Sequence, residues 1–154
     1  MARGPALGLA ALLAACASGP APVDGRPAAS LAEIAGEYEV LEFRGAPGDA
    51  RGGRVSIGEA WVDVKAACNG VGGAVAMMKP GLIRPSTDEF EVTAMGCVDA
   101  RTGRPSGAER RDDILLDLIA APFNVTWRAD GTLALWRGDI ALVLRPDAGR
   151  SGAG

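Results

Sequence analysis

The stretch over residues 61–97 constrains this chain more than any other. It reads as two extended segments, WVDVKAACNG and one closing in TAMGC, joined through a glycine-rich turn, with a cysteine at the end of each. In the first segment Val62, Val64, Ala66 and Cys68 share one face, and Trp61, Asp63 and Lys65 share the other. That period of two is the mark of a half-buried strand, so Cys68 belongs to the apolar face. Asn69-Gly70 tolerates positive φ and ends the strand in a turn.

The same alternation recurs along the chain. EYEVLEF (37–43) sets Tyr38 and Val40 against Glu37 and Glu39, and RVSI (54–57) is a second short strand. GGAVAMM (72–78) runs until Lys79-Pro80-Gly81 breaks it, Leu82 and Ile83 form an apolar pair, and RPSTDE (84–89) reads as a loop before the strand at 90–97. Three closing strands, at 124–127, 132–136 and 140–145, are separated by Asp130-Gly131 and Gly138-Asp139 turns. One helix stands out. Ser106 and Glu109 match a capping box, Ile114, Leu115, Leu118 and Ile119 form the apolar stripe, and Pro122 stops it. Asp112 and Asp113 read as charges at the positive end of its dipole. A single helical turn fits Ser30 to Glu33, ended by Gly36.

A chain of 154 residues allows one ordinary domain. Aromatics make up only 5%, so Ala, Val, Leu and Ile must build the core. There is no histidine, which removes Ser-His and Cys-His nucleophile activation and imidazole zinc sites. The net charge of −3, with no long basic run, argues against nucleic acid as a partner.

The N-terminus, MARGPALGLAALLAAC, has Arg3 followed by a short apolar run. Leu13-Ala14-Ala15-Cys16 resembles the bacterial lipobox, which implies a signal peptide over 1–15 and lipid on Cys16. Residues 16–35 are rich in Ala, Pro, Gly and Ser and read as a lipid-anchored flexible tether, folding starting near Leu31. Ala17 in place of aspartate resembles the signal for the outer membrane. The expected location is therefore the cell envelope, facing the periplasm, with the lipid of Cys16 as the membrane contact. Residues 147–154 read as a disordered tail.

In an exported domain, two cysteines at two strand ends favour a bridge between Cys68 and Cys97. They lie 29 positions apart, for which loop closure gives roughly 3–4 kcal/mol. A redox pair or a metal site is the functional alternative. Redox motifs space their cysteines two apart, however, and two thiolates without imidazole make a poor ligand set. The other candidates have structural explanations. Asn69 to Gly73 lacks the Lys-Ser/Thr of a P-loop, and Arg137-Gly138-Asp139 sits where a hairpin turn belongs. Asn124-Val125-Thr126 matches a glycosylation pattern without consequence in a bacterial protein. The carboxylate pairs Asp112/Asp113 and Asp88/Glu89 are sequence neighbours and point apart. Trp61, Trp127 and Trp136 read as packing anchors, and Met77, Met78 and Met95 as gap-filling core. No catalytic residue, metal ligand or cofactor is expected.

Cys68-Asn69-Gly70 and Thr93-Ala94-Met95-Gly96-Cys97 resemble the C-N-x-x-G and T-x-M-x-C signatures of the META, or HslJ-like, domain. The likeness covers residues 36–146; the helix with Glu109 and the strands with Leu133, Leu135 and Leu142 follow in the family's order. It implies an α+β domain, a strongly curved antiparallel sheet of about six to eight strands with one packed helix, and Asn69, Gly70, Thr93 and Met95 as signature positions. It also implies a non-catalytic, monomeric envelope protein acting through interactions, an envelope protein partner among them, in heat-shock or drug-stress tolerance. The rival expectation is a periplasmic inhibitor of a lysozyme or protease, projecting the loop at 98–107 with Arg101 and Arg104.

Overall fold

The computed structural model describes residues 23–48, 50–66, 68–93, 101–103 and 107–148. Signature residues Met95 and Cys97, the lipobox with Cys16, Arg104 and the Ser106 cap lie outside them.

The strands are β1 (Arg26–Pro27), β2 (Gly36–Arg44), β3 (Arg54–Ile57), β4 (Trp61–Lys65), β5 (Val71–Lys79), β6 (Leu82–Val92), β7 (Phe123–Trp127), β8 (Leu133–Arg137) and β9 (Ile140–Pro146). One helical turn, α1 (Leu31–Ile34), precedes β2, and the main helix, α2 (Gly107–Ile119), separates β6 from β7. β2 to β9 pair antiparallel in the ring β2-β3-β4-β5-β6-β7-β8-β9-β2, a closed eight-stranded barrel, and β1 adds to the outside of β7. The expected curved antiparallel sheet with one packed helix is thus closed on itself. Register shifts between Val40 and Glu42 in β2, and at Gly73/Val75 and Met77/Lys79 in β5, put bulges where the sheet must bend.

Alternation in the sequence translates directly into burial. Tyr38, Val40, Val55, Ile57, Val62 and Val64 point inward with Leu135, Leu142 and Leu144, while Glu37, Asp63 and Lys65 do not. α2 contributes Leu115, Leu118 and Ile119 to the same core, each fully buried. β6 and β7 pair only through Leu82–Asn124 and Ile83–Phe123.

Four expectations change. Residues 84–89 are strand, not loop: β6 runs unbroken through them, with Pro85 opposite Val75 of β5. Beyond Ile83 β6 pairs on one side only, which is where a strand tolerates proline. Order also begins before Leu31. Arg26–Pro27 pairs with Thr126 and Trp127, and Ala28 is fully buried, so residues 26–35 belong to the domain rather than to a tether. Three backbone bonds fasten this entry: Ala28 N to Val125 O at 3.1 Å, Gly81 N to Ala28 O at 2.8 Å and Val125 N to Gly81 O at 2.8 Å. A Cβ on Gly81 would stand 2.7 Å from Cβ of Pro27, and its φ of +76° also demands glycine. At the far end β9 includes Pro146, and Asp147 N donates to Glu37 O at 2.8 Å, so the tail starts later than Asp147. Finally, Trp61 and Met78 are not core: they are 39% and 57% exposed on the outer wall. Each alternates with inward neighbours, Val62 and Met77, and the pleat sends it out.

The capped turn α1 holds as expected. Glu33 N donates to Ser30 Oγ at 3.1 Å, and Glu33 Oε2 accepts from Ala29 N at 2.5 Å. The Arg26 guanidinium, then the Ala29 N–H, hold the Glu33 carboxyl below its usual range. The turn ends on Tyr38, whose hydroxyl donates to Ile34 O at 2.7 Å. Burial, and secondarily the Glu33 charge, push this phenol up to about 12 from its ordinary 10.0. It is the chain's one tyrosine, so tyrosinate absorbance reads it alone. The folded state holds the proton more tightly, hence the Tyr38 contribution to stability is complete below pH 10 and lost as pH rises through about 12. Alkaline titration of the folded protein should show a midpoint near 12; an ordinary midpoint before unfolding would contradict the buried Tyr38.

Candidate functional site

Two features gather polar chemistry at the end of the barrel where β4 leads into β5. The first is a corner joining Asn69 and Gly70 to Thr93 and to α2. Gly70 N donates to Thr93 Oγ1 at 2.8 Å and Thr93 N donates to Gly70 O at 3.0 Å, so two of the signature positions lie side by side. Asn69 points the other way. Its backbone N–H reaches both oxygens of Asp112, at 3.2 and 3.3 Å, and its Nδ2 donates to Asp112 Oδ2 at 2.9 Å. Asp112 is only 7% exposed.

That role differs from the one expected. The carboxylate is not a solvated charge at the helix end but a buried acceptor tying α2 to the β4–β5 turn. Asp113, the next residue, is exposed, so the pair does diverge as two neighbours on a helix must. Cys68 stands beside this corner and is disulfide-bonded; its expected partner Cys97 lies outside the described residues.

The second feature is a surface cavity of about 430 Å³ between the β2–β3 loop, the adjoining ends of β3 and β4, and α2. Arg51, Arg54, Lys65 and Arg111 line it, and among the described residues no carboxylate does. Small residues, Ala50, Gly52, Gly53 and Ala66, form the rest of its lining. The end of the loop is bonded into the sheet: Val40 N donates to Gly53 O at 2.8 Å, Gly52 N to Val40 O at 3.2 Å, and Gly53 N to Ala50 O at 3.1 Å. Gly53 also lies hard against β4. A Cβ there would meet Lys65 O at 2.8 Å and Ala66 Cα at 2.9 Å, both backbone, so no side chain can stand in that part of the wall.

Arg54 and Lys65 are direct cross-strand partners on the outer face. Arg54 reaches Asp147 Oδ2 at 3.3 Å, and its other strand neighbour, Glu39, is engaged by Arg145 at 2.5 Å. Arg111 comes from the second turn of α2. Its Nη1 donates to Pro47 O at 3.2 Å, while its Nε is buried without a hydrogen-bond partner. None of these four cations stood out in the sequence. The available signal was weak: Arg51 and Arg54 flank a Gly-Gly pair, and Lys65 and Arg111 have no sequence relation to them.

The other candidates remain apart. Arg137-Gly138-Asp139 forms the β8–β9 turn, with an Arg137 Nη2 to Asp117 O bond. Trp136 donates from Nε1 to the buried Thr126 Oγ1 at 3.0 Å, and Trp127 packs against the core. Asn124 and Thr126 are residues of β7. Among the described residues no group of three or more His, Cys, Asp or Glu could hold a metal ion.

The class this architecture defines is a closed, eight-stranded antiparallel barrel with one main helix. A protein from Burkholderia xenovorans, solved by NMR, is similar: it is 15% identical, with a TM-score of 0.54, over 89% of this chain and 99% of that one. At that identity the likeness is one of fold alone. No family profile matches the chain, and no curated protein does.

Proposed function

We propose that the chain is a non-catalytic, lipid-anchored protein of the bacterial cell envelope whose barrel is a META/HslJ-like domain acting through what it binds on its outer surface. One observation carries the reading. The barrel interior is filled by its own side chains, with Val40, Val55, Leu115, Leu135 and Leu144 fully buried in a single cluster. An eight-stranded barrel has an interior just wide enough for such filling, so recognition falls to the walls and rims. The side-by-side placement of Gly70 and Thr93, and a disulfide on Cys68, support the family resemblance, with Cys97 assigned as the partner. Lipid on Cys16 places the domain at the outer membrane, facing the periplasm.

Two measurements test this. Intact mass of the membrane fraction is expected to show a diacylglyceryl group on a chain beginning at Cys16; an unmodified soluble protein removes the anchor. Crosslinking in cells under envelope stress is expected to recover a discrete envelope protein. Recovery of a lysozyme or protease whose activity the purified protein blocks would establish the inhibitor instead.

A further inference from the structure

We infer that the cavity lined by Arg51, Arg54, Lys65 and Arg111 is a binding site for a compact phosphate-bearing polyanion, either a lipid headgroup or a soluble phosphoester. The inference rests on the lining alone and stands or falls independently of the envelope reading.

Electrostatics supply the first reason. Like charges directly opposite on neighbouring strands destabilise a sheet, and Arg54 faces Lys65 across β3 and β4. Arg111 adds a further cation from the second turn of α2. These cations meet at one cavity, with Arg51 beside them. Among the described residues Lys65 makes no ion pair, and the carboxylate on Arg54 is Asp147, which is not part of the lining. A multivalent anion in the cavity would relieve the Arg54–Lys65 repulsion.

Geometry supplies the second. The backbone N–H groups of Gly52 and Gly53 are taken by Val40 O and Ala50 O, so the loop is no phosphate nest and recognition falls to side chains. Guanidinium groups present paired N–H donors that match the oxygens of phosphate. The buried Nε of Arg111 has no acceptor among the described residues, and Nη1 of the same guanidinium donates to Pro47 O. Gly53 packs directly on the β4 backbone and so brings the loop against Lys65 and Ala66. The described lining of the cavity contains no aromatic ring, so a nucleobase would find nothing to stack on. The fit is to a phosphate-rich group rather than a nucleotide.

Calorimetric titration of the full chain tests this, with pyrophosphate and short-chain dihexanoyl phosphatidic acid as probes and dihexanoyl phosphatidylcholine, whose zwitterionic headgroup has no net charge, as the control. At least one of the first two is expected to bind, and the control is not. Whichever binds more tightly identifies the source as soluble or lipid. Lys65→Gln should weaken binding about tenfold or more, the scale of one lost charge-assisted contact. Arg44→Gln, which removes a cation already paired with Glu42 at 2.9 Å and outside the cavity, should leave it unchanged. A second readout separates binding from folding. In phosphate-free buffer Lys65→Gln should melt at or above the wild-type temperature, because it removes repulsion, while losing the stabilisation that pyrophosphate gives the wild type. Binding of neither phosphate probe, or equal binding by wild type and Lys65→Gln, overturns the assignment.

Discussion

Reduction of the Cys68 disulfide is expected to lower the unfolding free energy by roughly 3–4 kcal/mol. With Cys97 as partner, the bridge closes a loop of 29 positions, and its loss returns that closure entropy to the unfolded chain. The loop spans β5 and β6, the longest hairpin of the barrel, and Cys68 precedes the turn residues that hold Thr93 and Asp112. Freeing it therefore also loosens the open end of this hairpin, where Gly70 and Thr93 are bonded. Urea unfolding with and without reductant measures the change, the native state being checked by non-reducing peptide mapping. A loss under about 1 kcal/mol, or a map joining Cys68 to Cys16, would falsify this account of the bridge.

Asp112→Ala should cost about 3 kcal/mol, the second large effect. The carboxylate is buried and accepts from both the backbone and the side chain of Asn69. Hydrogen bonds to a charged group contribute about 1.5–3 kcal/mol, and the substitution also strands a half-buried backbone donor. Asp112→Asn keeps an acceptor oxygen and should cost roughly half as much. Asn69→Ala leaves the backbone bonds intact, so a double-mutant cycle with Asp112→Ala should give a coupling of about 1 kcal/mol or more. Additive losses, or an Asp112→Ala protein within about 0.5 kcal/mol of wild type, would mean that α2 is held by its apolar face alone. That face is substantial, with Leu115, Leu118 and Ile119 all fully buried. The variant is therefore expected to fold and to be measurable.

Much of the fold was legible because strand faces and turns are local. Spacing alone sets Tyr38 with Val40, and Val62 with Val64, on an apolar face, and all four are buried. Asp130-Gly131 and Gly138-Asp139 end their strands where glycine can take the φ values of +79° and +62° found there. The stretch at 84–89 misled because proline argues against a strand only where both edges are paired, and pairing is not written in the local sequence. Trp61 and Met78 were misplaced because size and hydrophobicity outweighed the pleat, although the alternation with Val62 already pointed them outward.

The candidate site was mostly illegible for the same reason. The sequence by itself determined which residues form strands, which face of each is apolar, where the chain turns and that one helix must be accommodated. Each follows from a repeat of two or 3.6 residues, or from the backbone freedom of a single glycine. Only the tertiary structure decided that the sheet closes, that Asp112 is buried against Asn69, and that Arg51, Arg54, Lys65 and Arg111 share one cavity. Those outcomes depend on strand register and on where α2 docks. Register and docking are set by the summed packing of the whole core, and no short segment carries that sum.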